Sequence, residues 1–212
     1  MYVPAHFAPD PDDVRALLRH PGAVDLITVT DGGPLATMLP MVWDEPESRA
    51  DLGEFGALLG HVARTNAQWK TPALGESMAI VRGPDAYITP SWYATKREHG
   101  RVVPTWNYVV AHVYGRLVIH DDIDFCEANV RRLSRMHEDD RAEPWAVDDA
   151  PAAYIAGQMR AIVGVELLID RLEAKSKLSQ NRSEADIDGA IVGLEADGER
   201  SVSAAMRTLH GR

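Results

Sequence analysis

Short apolar and β-branched segments, separated by turn residues, follow one another between residues 24 and 120, and this feature most constrains the fold. Residues 24–30 and 35–43 are predicted to form two strands, because the turn at 31–34 (DGGP) is typical of a β-hairpin. Strand patterns recur further along the chain, at 57–62, 77–82, 86–90, 102–120 and 164–172. About six strands in succession, with short connections, favour a closed barrel over an alternating α/β sheet.

Helical patterns flank this strand-rich region. Asp10-Pro11-Asp12-Asp13 combines a capping residue, a first-turn proline and acids, which predicts a helix over 10–20. A second proline-led helix is expected over 151–163, capped by Asp148 or Asp149. The remaining predicted helices are 123–138, 184–194 and 201–209. The fold class is therefore α+β, a β-barrel with peripheral helices.

Composition and charge argue against several classes of function. The 22 basic and 32 acidic residues give a net charge of −10, which argues against nonspecific nucleic-acid binding but leaves a local basic groove open. A single cysteine, Cys126, allows neither an internal disulfide nor a cysteine metal cage. The chain shows no apolar run of membrane-spanning length and no secretory signal, so we expect a cytoplasmic protein without a membrane partner. No metal motif and no glycine-rich nucleotide motif is recognisable.

Aromatic residues are concentrated in the middle of the chain. Six of the 14 lie between Tyr87 and Tyr114, interleaved with small polar residues in the segments 91–93 (SWY) and 105–108 (TWNY). One interpretation is a sheet core, where aromatic side chains are favoured. The other is a site for a planar heterocycle, which needs apolar faces to stack on and hydrogen-bonding groups at its edge.

Two polar clusters are candidates for binding an anion. The segment 60–70 (GHVARTNAQWK) places Arg64, Asn66 and Lys70 in one turn, and such a group suits a phosphate, although it also suits a solvated turn. The segment 175–182 (KSKLSQNR) is predicted to follow the last strand and gathers three positive charges. It is either a polar connection to the next helix or a second contact to an anion.

Taken in order along the chain, these segments resemble the PaiB family of FMN-binding proteins, which are described as negative transcriptional regulators. The matching stretches run from the first residue to about 182, and together they are specific to the family. In one small departure, Ala67 stands where the family often has proline. The stretches are 1–7 (MYVPAHF), 60–70, 83–93 (GPDAYITPSWY), 103–108 (VPTWNY), 144–151 (PWAVDDAP) and 177–182 (KLSQNR).

The resemblance implies a split barrel like that of the pyridoxamine-phosphate oxidases, in which FMN lies between the two subunits of a homodimer. It implies a split-barrel domain over 1–182 and a helical extension over 183–212 that packs on the same domain. A large exposed apolar patch on a monomer is itself a reason to expect a twofold dimer.

Individual roles follow from matching chemistry to this expected ligand. Arg64, Asn66 and Lys70 are predicted to hold the phosphate of FMN. A second set would contact the ring and the ribityl chain, and a third would reach the site from the partner subunit. The second set is Thr89, Ser91, Trp92, Thr105, Trp106 and Asn107, and the third is Lys177, Gln180 and Asn181.

Several functions remain open. The family points to a regulator, and the best DNA-contact candidate is the 127–137 helix with Arg131, Arg132 and Arg135, although acids flank it. The alternative is a flavin-dependent oxidoreductase, in which the flavin carries out the electron chemistry. The catalytic residues are unknown. A dimeric interaction module without cofactor, or a barrel that binds another planar ligand such as haem, is also compatible with the sequence.

Overall fold

The computed structural model describes residues 1–212 as six strands and six α-helices, joined by short 3-10 turns. The strands are β1 (Ala23–Thr30), β2 (Gly33–Asp44), β3 (Ala57–Ala63), β4 (Ser77–Ile88), β5 (Thr105–His120) and β6 (Ile162–Lys177). The helices are α1 (Pro11–Arg19), α2 (Thr95–Glu98), α3 (Ile123–Glu138), α4 (Ala152–Arg160), α5 (Glu184–Ala196) and α6 (Arg200–His210). None of the helices is long and apolar enough to cross a membrane.

The six strands close into a barrel in the order β1-β2-β3-β6-β5-β4. The predicted hairpin sets the register of β1 and β2, which runs from Thr30 opposite Gly33 to Ala23 opposite Pro40. β1 also pairs with β4, and β3 pairs with β2 and β6, all in antiparallel fashion. The predicted α+β barrel with peripheral helices is confirmed.

Two strands are longer than predicted. β4 runs without interruption through Gly83, Pro84 and Asp85, where a break was expected. The φ angle of proline is compatible with an extended backbone, and proline lacks only the backbone N–H donor. It therefore does not by itself end a strand. β6 continues to Lys177, so Lys175 and Lys177 lie in the strand and not in a loop after it. The two lysines stand on either side of buried Ser176, as expected for a strand in which successive side chains point to opposite faces. Because none of these three residues is hydrophobic, the hydrophobic pattern of the sequence did not show that the strand continues here.

Both boundaries of one helix, predicted at 151–163, were also wrong. α4 begins at Ala152, with Pro151 as its preceding cap residue, and ends at Arg160. Asp148 and Asp149 instead belong to a separate 3-10 turn, in which the Asp149 carboxylate accepts a hydrogen bond from the Ala146 N–H at 2.8 Å. Ile162 and Val163, which follow Ala161 directly, are β-branched and begin β6.

The chain forms two compact units, and β4, β5 and β6 contribute residues to both. Unit I comprises residues 1–14, 82–111 and 173–212, and unit II comprises residues 15–81 and 112–172. In unit I, α5 and α6 pack on a buried apolar cluster that includes Ile88, Tyr93 and Leu178. Residues 183–212 therefore lie in the same unit as residues 173–182.

Unit II has its own core and a buried charge network. Its interior is filled by alternate strand residues such as Leu26, Leu58 and Leu167, each fully buried. The buried Glu166 carboxylate accepts a hydrogen bond from Arg49 Nη2 at 2.6 Å and lies 2.8 Å from His120 Nε2. A buried carboxylate with two polar partners is tolerated, because it is not left unpaired.

In unit I, Trp92 packs directly against α5. A Cβ atom at position 193 would lie 2.2 Å from the Trp92 ring, and one at position 189 would lie 2.1 Å from the Trp92 carbonyl oxygen. Only glycine at both positions allows so close an approach of the helix to the indole.

We expect Gly193→Ala to lower the free energy of unfolding by about 1–3 kcal/mol, because the added methyl group overlaps a rigid indole ring. Urea denaturation monitored by circular dichroism measures this change. The matched control is Gly157→Ala in α4, where the nearest atom to an added Cβ is 4.0 Å away. This control should be stabilised by up to about 1 kcal/mol, since alanine is the better helix former. Equal effects at both positions would contradict the close-packing argument.

Candidate functional site

Arg64, in unit II, is held by neighbouring groups on several sides. Its guanidinium forms two hydrogen bonds with the Asp121 carboxylate, at 2.6 and 3.1 Å, and donates to the carbonyl oxygens of Arg160 at 2.7 Å and Ile162 at 3.1 Å. These bonds to Asp121 raise the pKa of Arg64 and lower that of Asp121. The side chain therefore fixes the loop after β3, and its charge is already balanced by a carboxylate.

Asn66 and Gln68 tie this loop to the β1–β2 hairpin. The Asn66 Oδ1 accepts a hydrogen bond from the Gln68 N–H at 2.8 Å, and its Nδ2 donates to Thr37 Oγ1 at 3.0 Å. Gln68 Nε2 donates to the Leu26 carbonyl at 3.0 Å and to Thr28 Oγ1 at 3.2 Å. The Gln68 Oε1 is buried and accepts no hydrogen bond. A buried acceptor of this kind indicates a place where a ligand donor could bind.

Lys70 ends the same loop and is exposed. Its ammonium lies 5.2 Å from the centre of the Trp69 ring, whose indole N–H donates to the Arg64 carbonyl at 3.0 Å. No carboxylate forms an ion pair with Lys70. The structure thus brings Arg64, Asn66 and Lys70 into one short loop, and Lys70 carries the cationic charge that is free to meet an anion.

Three candidates of unit I occupy the turn after β4. Thr89 caps a 3-10 helix at Pro90–Trp92, and its hydroxyl accepts a hydrogen bond from the Ser91 N–H at 3.2 Å. The Ser91 hydroxyl in turn accepts from Lys96 Nζ at 3.0 Å. Trp92 is half-buried against α5, so this indole has a structural role in the core of unit I.

Along β5 the candidates point in opposite directions. Trp106 is 49% exposed, and its indole N–H donates to Asp85 Oδ1 at 2.7 Å. Asn107 is fully buried, and its Nδ2 donates to Ser179 Oγ at 3.0 Å and to Met206 Sδ at 3.4 Å. The alternation of a strand therefore leaves Trp106 accessible, while Asn107 stabilises the interior.

The candidates on β6 and just after it differ in whether their polar groups are already hydrogen-bonded within the protein. Lys177 Nζ donates to the Thr105 hydroxyl and, at 2.8 Å, to the Trp106 carbonyl. Burial, reinforced by the nearby charges of Lys175 and Arg182, lowers the pKa of Lys177. The neighbouring Gln180 amide is occupied locally, because it accepts from the Leu178 N–H at 2.7 Å and donates to the Ser176 carbonyl. The last candidate, Asn181, is exposed.

The structure therefore groups the predicted residues as follows. In unit II, Arg64, Asn66 and Lys70 share one loop. In unit I, Lys177 is bonded to Thr105 and Trp106, whereas Thr89 and Ser91 form a turn. Sequence reasoning passed over Gln68, because a glutamine in a polar run gives no sign that it will be buried. No group of three or more His, Cys, Asp or Glu side chains is arranged to hold a metal ion.

Comparison with known proteins identifies a matching family and a similar curated protein. A model of the family described as "Putative FMN-binding domain" matches residues 1–171. Among curated proteins, protease synthase and sporulation protein PAI 2 of Bacillus subtilis is 29% identical over 92% of this chain and 89% of its own length.

Solved structures share the fold at low sequence identity. The conserved hypothetical protein Rv2991 from Mycobacterium tuberculosis superposes with a TM-score of 0.58 at 10% identity, covering 87% of this chain and 95% of its own. The flavocytochrome Anf3 from Azotobacter vinelandii gives a TM-score of 0.54 at 14% identity, covering 84% of this chain and 73% of its own.

We expect Gln68→Leu to lower the free energy of unfolding by about 1–3 kcal/mol, because the substitution removes the donor that joins the loop to β1. Thermal and urea denaturation measure the loss. Gln158→Leu is the control, since Gln158 is exposed on α4 and should change stability by no more than about 0.5 kcal/mol. A Gln68→Leu protein as stable as this control would show that the bridge to β1 is dispensable.

Proposed function

This chain belongs to the family described as "Putative FMN-binding domain", and we propose that it binds FMN and acts as a flavin-dependent regulator of the PaiB type. The observation that carries the flavin part of the proposal is the match of the family model over residues 1–171. The PaiB-type part is supported by the similarity to PAI 2 of Bacillus subtilis over 92% of this chain. The flavocytochrome Anf3 has the same fold, which supports a flavin as the ligand.

The residues of the loop in unit II fit the phosphate end of FMN. Lys70 supplies an exposed ammonium without a carboxylate partner, and a point charge of this kind suits a phosphate. Arg64 is engaged with Asp121, so it would contribute to a phosphate site mainly by holding the loop in place. The buried, unpartnered Gln68 Oε1 offers an acceptor for a hydroxyl or an N–H of the ligand.

The residues of unit I fit the rest of the cofactor less uniformly. Trp106 presents a half-exposed ring that suits a planar heterocycle, and Thr105 and Lys177 lie beside it. Thr89, Ser91 and Asn181 would supply polar contacts to the cofactor. Trp92, Asn107 and Gln180 would act through the packing and hydrogen bonds that they already form.

We expect Lys70→Ala to weaken FMN binding by about tenfold, the effect of losing one charge-assisted contact to a phosphate. Titration of the protein into FMN, followed by quenching of flavin fluorescence, measures the dissociation constant. Riboflavin, which lacks the phosphate, should bind Lys70→Ala and the unsubstituted protein equally. Arg97→Ala is the control for charge, because Arg97 is exposed on α2. An unchanged FMN affinity in Lys70→Ala would remove Lys70 from the phosphate site.

We also propose that the protein is a homodimer, on the strength of an apolar outer face on the β1–β2 hairpin. Met38 is 71% exposed and Val29 is 50% exposed. Pro34 and Ala36 lie on the same face of the hairpin and are exposed as well. A twofold contact is the commonest way for a protein to cover such a surface.

We expect Met38→Glu to convert the dimer into a monomer, because the substitution replaces a highly exposed apolar side chain of this face with a charge. Sedimentation velocity over a range of concentrations measures the mass. Tyr154→Glu, at a residue of α4 that is 59% exposed, is the control and should leave the mass unchanged. Dissociation by both variants, or by neither, would mean that this face does not form the interface.

The contacts of α3 favour regulation without direct DNA binding. Arg131 pairs with Glu127 at 2.8 Å and with Asp148 at 2.7 Å, and Arg132 pairs with Asp44 at 2.9 Å. Two of the three arginines expected to meet DNA are therefore neutralised within the chain, whose net charge is −10. We propose that any regulatory effect passes through the flavin or a partner protein.

The second candidate function is a flavin-dependent oxidoreductase that acts on a small molecule. FMN supplies hydride and electron transfer when it is bound. A cleft of about 330 Å³ in unit I, with Trp106 and Tyr108 in its wall, is large enough for a small organic substrate. Reoxidation of the reduced flavin by a small molecule would distinguish this function from a purely regulatory one.

A further inference from the structure

A cleft of about 310 Å³ lies in unit II between α3, α4 and the 3-10 turn that precedes α4. Two of the side chains that line it, Val147 and Met159, are buried. Ile155 and Ala156 continue the apolar surface along α4, and Ile123, at the start of α3, is 50% exposed beside it. We call this space the α3–α4 cleft. Clefts of this size with mostly apolar walls are where proteins bind small organic molecules.

Three charged side chains also line the α3–α4 cleft, and they are bonded to one another. Asp148 uses both carboxylate oxygens, which accept from Arg131 Nη1 at 2.9 Å and from Arg131 Nη2 at 2.7 Å. Glu127 accepts from Arg131 Nε at 3.0 Å and Nη2 at 2.8 Å, in both cases through Oε1. Every nitrogen of the guanidinium thus already donates to a carboxylate, and an anionic ligand would have to displace one of them.

The same bonds leave a negative charge and a free acceptor in the wall of the cleft. Two carboxylates share one guanidinium, so the three side chains together carry a net charge of −1. The hydrogen bonds to Asp148 and Glu127 raise the pKa of Arg131, and Arg131 lowers the pKa of Asp148, so this pair stays charged at neutral pH. The second carboxylate oxygen of Glu127, Oε2, accepts no hydrogen bond within the chain.

We propose that the α3–α4 cleft binds a small hydrophobic amine, with the apolar part of the ligand against Ile123 and Ile155 and its ammonium group at Glu127. An ammonium group only donates hydrogen bonds, so it matches the free Oε2 and the excess negative charge at the same time. None of the residues that line this cleft is a candidate contact of FMN. The proposal therefore goes beyond the flavin function and does not depend on it.

NMR titration of the backbone amides with 2-phenylethylamine tests the proposal, and 2-phenylethanol, which has the same ring and chain without the charge, is the comparison ligand. We expect saturable shifts among residues 123–131 and 147–159. The amine should bind about tenfold more tightly than the alcohol, and added salt should weaken the amine alone. Protein with and without saturating FMN should give the same affinity, so a failure of the flavin proposal would leave this result unchanged.

Glu127→Gln should weaken 2-phenylethylamine about tenfold and leave 2-phenylethanol unchanged, because it removes the excess charge and leaves the apolar wall intact. Glu195→Gln, on α5, is the matched control. The Glu195 side chain is 43% exposed, compared with 41% for Glu127, and it likewise pairs with one arginine, Arg207. It does not line the α3–α4 cleft, so this variant should bind the amine like the unsubstituted protein.

A second variant, Ala156→Phe, tests the apolar wall. The added ring should occupy the cleft and abolish binding of both the amine and the alcohol, and thermal melting should confirm that every variant is folded. Equal affinity for amine and alcohol, no saturable shifts at about 10 mM amine, or equal losses in Glu127→Gln and Glu195→Gln would overturn the proposal. Amine binding that persists in a folded Ala156→Phe protein would also overturn it, since the ligand would then lie elsewhere.

Discussion

Closure of six strands into one hydrogen-bonded ring is the constraint on which the other features of this protein depend. A closed sheet has no free edge, and every strand must turn alternate side chains to the interior. Close approach of one strand's backbone to another leaves some positions without room for a side chain. At Gly115, for example, a Cβ atom would lie 1.9 Å from the Leu168 carbonyl oxygen. The register of strand pairing therefore determines both which residues form the core and which residues face outward.

The same alternation separates structural from functional side chains. On β5, buried Asn107 bonds to Ser179, while the next residue towards the strand's start, Trp106, is half-exposed. On β6, buried Ser176 stands between Lys175 and Lys177. Because a strand cannot bury both of its faces against one core, polar and aromatic residues of the opposite face become available to a ligand. The exposed candidate contacts on β5 and β6 arise in this way.

Much of the fold could be predicted from the sequence, and less of the candidate site. The hairpin of β1 and β2 and the helices α3, α5 and α6 follow from local turn and periodicity signals, which act over a few residues. The loop of Arg64 was located correctly by its polar composition. The ion pair of Arg64 with Asp121 could not be foreseen, since it joins residues 57 positions apart. The flavin contacts themselves stay predictions.

The sequence by itself determined the alternation of strands and helices, the hairpin turn and the family, because these depend on short-range pattern and on motifs in a fixed order. Only the tertiary structure decided which charges are free. It neutralised Arg131 and Arg132 with carboxylates, and it left Lys70 and Lys175 without one. Charge balance depends on ion pairs between residues that are far apart in the sequence. A local sequence pattern does not show which of these residues will pair.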